Sequence, residues 1–191
     1  MWYNNFMENI ERQIANCTKC GILNKLKSGT VKYGTSQFVV VGESPAKGGW
    51  IETGNPFYNI KGKMFGSARV LAKLLESINL SLDDIYFTEC SKCVIEDRKN
   101  LLAACLNCKS FLVETLNKLP CKIIVTMGKC PSQVILNCKI EKFSDFVGRA
   151  IGVRLGDKDY LVVPIYHTSP LNPLGFKGNI DAFKKLKEIM G

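Results

Sequence analysis

Apolar residues in this chain fall into short continuous runs, separated by stretches with helical spacing. Gln37–Gly42 (QFVVVG) is a β-branched run ending in glycine, the pattern of a strand covered on both faces. Ile85–Thr88, Lys122–Met127 (KIIVTM) and Tyr160–Tyr166 (YLVVPIY) predict three more strands. Between them, Val70, Leu71, Leu74, Leu75 and Ile78 recur at the spacing of one helix face and predict a helix over 67–78. Further helices are predicted over 101–119, near 132–136 and, basic and amphipathic, over 181–190. The first 14 residues predict a short amphipathic helix that packs on the body. Strands that alternate with helices give an α/β fold: a three-layer sandwich whose central, mostly parallel four-stranded sheet is flanked by helices. No linker, repeat or low-complexity tract breaks the pattern, so 1–191 reads as a single domain. Glycine-bearing loops follow the first, third and fourth strands. Ligands of open α/β sheets gather at the carboxyl ends of strands, so chemistry is sought in those loops.

The formal net charge of +9 changes the picture by pointing to a polyanionic partner, of which nucleic acid is the commonest. No segment reaches the roughly 18 consecutive apolar residues of a membrane span. The start of the chain mixes Asn, Glu and Arg with Trp2, Tyr3 and Phe6, unlike the basic and then apolar order of a signal peptide. A cytoplasmic protein without a membrane partner is expected.

Nine cysteines are many for such a chain, and an odd number cannot all pair in disulfides. Three C-x-x-C pairs stand out: Cys17/Cys20, Cys90/Cys93 and Cys105/Cys108. A short turn can fold two sulfurs at this spacing toward one metal centre, and two such pairs make a four-thiolate site for zinc or an iron–sulfur cluster. Spacing alone chooses neither the metal nor four ligands from six cysteines. Cys121, Cys130 and Cys138 lack ligand spacing and read as core or surface thiols.

The loop after the first strand, Gly42–Phe57, reads GESPAKGGWIETGNPF. Gly48, Gly49 and Gly54 allow close approach of backbone to a ligand, and Pro45 and Pro56 stiffen the loop. Phe57 is placed to stack on a planar ring, an interaction of about 1–3 kcal/mol for a nucleobase. The only histidine, His167, follows the fourth strand in PIYHTSPLNPLGFKGN. A neutral, fixed imidazole there is a good donor to developing negative charge. Ser169, with the backbone near Pro170, and Lys177 with Gly178 are candidates to hold a phosphate.

Taken together, these segments resemble the uracil-DNA glycosylase superfamily, chiefly its iron–sulfur, thermophile-type branches, over nearly the whole chain from Cys17. The family's first motif, G-E-x-P-G followed by T-G-x-P-F, is matched by Gly42, Glu43, Pro45, Gly54, Pro56 and Phe57. Ala46 stands where a sister branch has G-L-A-P-A. The second motif, H-P-S, is matched by His167, Thr168 and Ser169, with Thr in place of Pro. The cysteine region, T-N-x-x-K-C, then N-R, then C-x-x-F-L, is matched by Thr88–Cys93, Asp97-Arg98 and Cys108–Leu112.

The resemblance implies a DNA glycosylase of base-excision repair that extrudes a damaged nucleotide and hydrolyses its N-glycosidic bond, the leading one of three readings. It implies a monomeric protein with DNA as partner and a 4Fe-4S cluster on Cys17, Cys20, Cys93 and Cys108 that braces the DNA-gripping loops. Cys90 and Cys105 are then bystanders. His167 would stabilise the departing base, Phe57 would stack on it, and the Gly42–Ala46 backbone would hold its edge and orient water. Lys47, Ser169 and Lys177 would contact phosphates. Two departures stand out. Ser44 occupies the place where strong members of the superfamily carry a water-activating acid, which leaves Glu43 as the acid at hand. Glu89 replaces the asparagine that reads uracil. An ionised carboxylate only accepts hydrogen bonds, so it suits two adjacent donors, as on a guanine-type edge, whereas a protonated one reads uracil. A base preference different from simple uracil is therefore expected. The other two readings are a nucleic-acid-binding protein of the same fold without turnover, and a redox or zinc-stabilised protein using the thiolates alone.

Overall fold

The structure is a computed structural model that describes residues 2–20 and 30–191, with side chains from residue 7. Its elements in chain order are α1 (Trp2–Ala15), β1 (Phe38–Gly42), α2 (Trp50–Thr53), α3 (Gly66–Glu76), β2 (Tyr86–Glu89), α4 (Leu101–Lys118), β3 (Ile123–Met127), α5 (Lys129–Leu136), β4 (Ile151–Leu155), β5 (Lys158–Ile165) and α6 (Ile180–Met190). The strands form one sheet in the order β2-β1-β3-β5-β4. The first four in that order run parallel; β4 pairs antiparallel with β5.

The two faces of the sheet bury alternate residues of the same strands. Phe38 and Val40 of β1 and Val125 of β3 face a core completed by α3 and α6, through Leu71, Leu74, Leu75, Phe183 and Leu186. Val39, Val41 and Ile124 face the opposite core, completed by α4 and α5, through Leu112, Leu116, Val134 and Ile135. Coverage on both sides explains why β1 and β3 read as unbroken apolar runs. Met7, Ile10 and Ile14 of α1 pack on Phe111 of α4, adding a flank to that layer.

The expected three-layer sandwich is therefore present, with a fifth strand at its edge. β4 and β5 make a hairpin whose register joins Leu155 to Lys158 around Gly156-Asp157. Gly156 has φ 59°, and a Cβ there would collide with the Asn117 side chain. A two-residue turn with glycine first matches the right-handed twist of its strands.

Chain order places the switch point of the sheet between β1 and β3. The connection from β1 leads to β2 on one side, and that from β3 leads to β5 on the other. The loops after these strands diverge there and leave a crevice at their carboxyl ends. Gly156→Val should lower unfolding free energy by about 1–3 kcal/mol through strain at positive φ, measured by urea denaturation, with no change in the sheet signal of the native protein.

Candidate active site

Residues from all four parallel strands meet in that crevice. A cavity of roughly 450 Å³, its open mouth included, is lined by Glu43, Ser44 and Ala46 after β1, Phe57 and Phe65 on the same connection, and Glu89 at the end of β2. Met127 ends β3 in its wall, and His167 follows β5. Glu43, Ser44, Ala46, Phe57, Glu89 and His167, six residues singled out from the sequence, thus share one cavity, although 124 positions separate the first from the last.

His167 is held by its own loop. Its Nδ1 accepts the backbone N–H of Ser169 at 3.1 Å, and its carbonyl accepts from Asn172 Nδ2 at 2.9 Å. With Nδ1 an acceptor, the proton of the neutral ring sits on Nε2, which lies 3.8 Å from Glu43 Oε2. Burial holds the imidazole below its ordinary pKa; Glu43 opposes this and Arg98 reinforces it. The ring is therefore neutral near pH 7 and offers one N–H. The buried Asn179 braces the loop behind it, accepting from the N–H of Tyr166 and donating to the carbonyls of Tyr166 and Gly175. Thr168, which replaces the family's proline, donates to the Ser67 carbonyl at 3.0 Å and ties the loop to the start of α3.

Glu43 is fixed at both ends of its residue. Its backbone carbonyl accepts from Ser91 N–H at 3.0 Å and from the Cys105 thiol at 3.5 Å. Its carboxylate, nearly buried, pairs with the guanidinium of Arg98, which is 61% exposed. Gly128 leaves the space that the carboxylate fills, since a Cβ there would lie 2.7 Å from Glu43 Oε1. Arg98 entered the sequence reading only as part of the Asp97-Arg98 motif. Its role depends on a contact across 55 positions, which no local pattern reveals.

Glu89 is 6% exposed, and its Oε2 has no hydrogen-bond partner among the described residues. Such an atom costs about 1–3 kcal/mol if left unsatisfied. Burial, reinforced by Glu43 and opposed by Lys92, raises its pKa to about 8. Phe57 is buried and meets Phe87 edge-on, with ring centroids 5.0 Å apart, while still lining the cavity. Gly54 caps α2 in the left-handed conformation, at φ 68°.

The expected phosphate ligands lie apart from the cavity lining. Lys177 is exposed at the end of the histidine loop, and Lys47 pairs with Glu96 at 3.5 Å in full exposure. Ser169 Oγ accepts the Leu171 N–H at 3.3 Å. Leu171 itself, 94% exposed four residues past His167, escaped the sequence reading; the signal available was an apolar residue in the Pro170-Leu171-Asn172-Pro173 stretch of the histidine loop.

The 4Fe-4S site expected on Cys17, Cys20, Cys93 and Cys108 is not assembled. Among the described residues, no group of three or more His, Cys, Asp or Glu side chains is placed to hold a metal ion. One C-x-x-C pair, Cys105/Cys108, lies inside α4, where three-residue spacing is the period of the helix and turns both sulfurs to its buried face. Cys108 Sγ accepts the Lys92 N–H at 3.4 Å, and Cys20 Sγ accepts from Asn107 Nδ2 at 3.4 Å. Burial raises the Cys108 pKa; the Lys92 N–H and ammonium oppose this, and the Cys20 and Cys17 sulfurs add to it. The bracing assigned to a cluster falls to hydrogen bonds, and Cys105, read as a bystander, supplies one of them to Glu43.

The sequence profile of the Uracil DNA glycosylase superfamily matches residues 29–190. The chain belongs to that superfamily. It is similar to the Type-4 uracil-DNA glycosylase of Archaeoglobus fulgidus, with 28% identity over 97% of this chain and 94% of the relative. It is also similar to the Type-4 uracil-DNA glycosylase of Sulfurisphaera tokodaii, with 25% identity over 96% of this chain and 84% of the relative. Within the superfamily, the present chain combines a neutral imidazole, an arginine-held carboxylate and a buried acid around one cavity.

These electrostatics give a direct test. Arg98→Met removes a cation that holds the imidazole pKa down and leaves Glu43 uncompensated, so the pKa of His167 should rise. With one histidine in the chain, its ring proton is a single resonance to follow by NMR titration. A fall, or no movement, contradicts the arrangement described.

Proposed function

We propose that this protein is a DNA glycosylase that excises a damaged base, uracil or another deaminated or modified base, by hydrolysing the N-glycosidic bond. The observation that carries this reading is the convergence of His167, Glu43 and Phe57 on one cavity at the switch point of the sheet. Membership of the superfamily and the similarity to two Type-4 uracil-DNA glycosylases support it.

In this reading the target nucleotide leaves the stack, at a cost of a few kcal/mol, and its base enters the cavity. Phe57 and the other aromatic walls contact the ring. As the C1′–N bond breaks, its electron pair passes to the base, and negative charge grows on a ring carbonyl oxygen. The Nε2–H of neutral His167 donates to that oxygen. Water forms the new bond to C1′. Glu43, with Ser44 beside it, orients that water and takes up its proton. The exposed Leu171 wedges into the gap left in the stack, as apolar side chains do when they part base steps. Lys47, Ser169 and Lys177 contact phosphates, so binding weakens with salt. The domain acts as a monomer in the cytoplasm.

The Arg98 ion pair favours one second reading, binding without turnover, because it occupies the carboxylate that would handle the water. Single-turnover excision from oligonucleotides carrying uracil, hypoxanthine or xanthine separates the two. Excision of at least one lesion is expected, with His167→Ala slower by about 10²–10³-fold. Leu171→Ala should slow excision from duplex more than from single-stranded DNA, because only the duplex has a gap to fill. Tight binding with no abasic product from any lesion would establish the second reading.

A further inference from the structure

Glu89 is the last residue of β2 and the register partner of Gly42. Its carboxyl folds over that glycine: a Cβ at position 42 would strike Glu89 Oε2 and lie 2.9 Å from Phe87 Cζ. Residue 42 therefore leaves the room in which this acid lies, in the wall of the cavity.

The charged groups around the acid do not satisfy it. From the β2–α4 connection, the buried Lys92 donates its ammonium protons to Thr88 Oγ1 at 2.6 Å and the Thr30 carbonyl at 3.4 Å. From the β1 loop, Glu43 is an acceptor engaged by Arg98. From the β5 loop, the His167 ring lies across the cavity with Nε2 near Glu43. Glu89 Oε2 thus remains a buried polar atom on a cavity wall with no partner among the described residues. A ligand in the cavity is the natural partner.

The protonation state decides which ligand. An ionised carboxyl offers two acceptors, and it repels a ring carbonyl. A neutral carboxyl offers an O–H donor beside a C=O acceptor, matching a ring carbonyl next to a ring N–H. Burial among Phe87 and its apolar neighbours, with Glu43 close by, favours the neutral acid at pH 7; Lys92 opposes this without reversing it.

We infer that Glu89 is the base-reading residue of this chain, and that it reads as a neutral carboxylic acid, selecting bases that carry a carbonyl beside a ring N–H. This rests on the glycosylase reading of the same cavity. It assigns to an acid the work that an amide would otherwise do, and it makes base recognition sensitive to alkali.

The test compares wild type with Glu89→Gln, whose amide keeps one donor and one acceptor but cannot ionise. Single-turnover excision of uracil and hypoxanthine is measured between pH 6.5 and 9. Wild-type excision should fall above about pH 8, approaching tenfold per pH unit as one acid ionises. In Glu89→Gln that fall should vanish, so that at pH 9 the variant outpaces wild type by about tenfold. Equal alkaline profiles for the two proteins overturn the inference. So does wild-type excision that rises with pH, since that means the ionised form reads the base.

Binding supplies a readout that needs neither turnover nor the variant. Fluorescence anisotropy follows wild type on an oligonucleotide with an uncleavable 2′-fluorinated deoxyuridine, and on one with a tetrahydrofuran abasic analogue. Affinity for the first should weaken about tenfold between pH 7 and 9 relative to the second. Equal pH dependence on both overturns the role of Glu89. The expected binding without any excision instead overturns the glycosylase reading and upholds base recognition by Glu89.

Discussion

The structure depends on one constraint: β1 and β3 are buried on both faces and pair in parallel. Parallel neighbours cannot be joined by a tight turn, so each connection crosses over through a helix. Apolar residues on both faces require helices above and below the sheet. All parallel strands then end on the same edge, and the connections that leave β1 and β3 toward opposite sides of the sheet open a crevice there. The cavity is a consequence of this arrangement, and the chemistry of the site depends on which residues the strands deliver to it.

Those residues are held by partners distant in sequence. Glu43 is braced by a serine and a cysteine through its carbonyl and by an arginine through its carboxylate. His167 is braced by its own loop, and that loop is tied to α3 through Thr168. A site held in this way needs little rearrangement to present donors where charge develops, which is the basis of electrostatic preorganisation.

Much of this was legible in the sequence, for physical reasons. Continuous apolar runs marked β1 and β3 because both of their faces are covered. β4 was missed because it is not a continuous apolar run: Ile151, Val153 and Leu155 face inward and alternate with the exposed Gly152 and Arg154 over only five residues, and the Gly156-Asp157 turn was the stronger signal. The loop after β1 and the lone histidine were recognisable as strand-end residues, and the fold brings them together. The cysteine spacing misled because a separation of three residues describes a helix as well as a ligand turn. Cys105 and Cys108 follow the helical period of α4, which local spacing cannot distinguish from metal binding. The burial of Glu89 and the reach of Arg98 arise from register and long-range packing, which no short window of sequence contains.

Gly66, at the start of α3, packs against Pro170 of the histidine loop so closely that a Cβ would lie 2.6 Å from the Pro170 ring. Each residue fills the space the other leaves. In evolution the two positions form a lock: a side chain at 66 becomes tolerable only after the ring at 170 has gone or moved. Lineages descended from this chain should therefore change the two sites together, or keep both, and the order of replacement should run from 170 to 66.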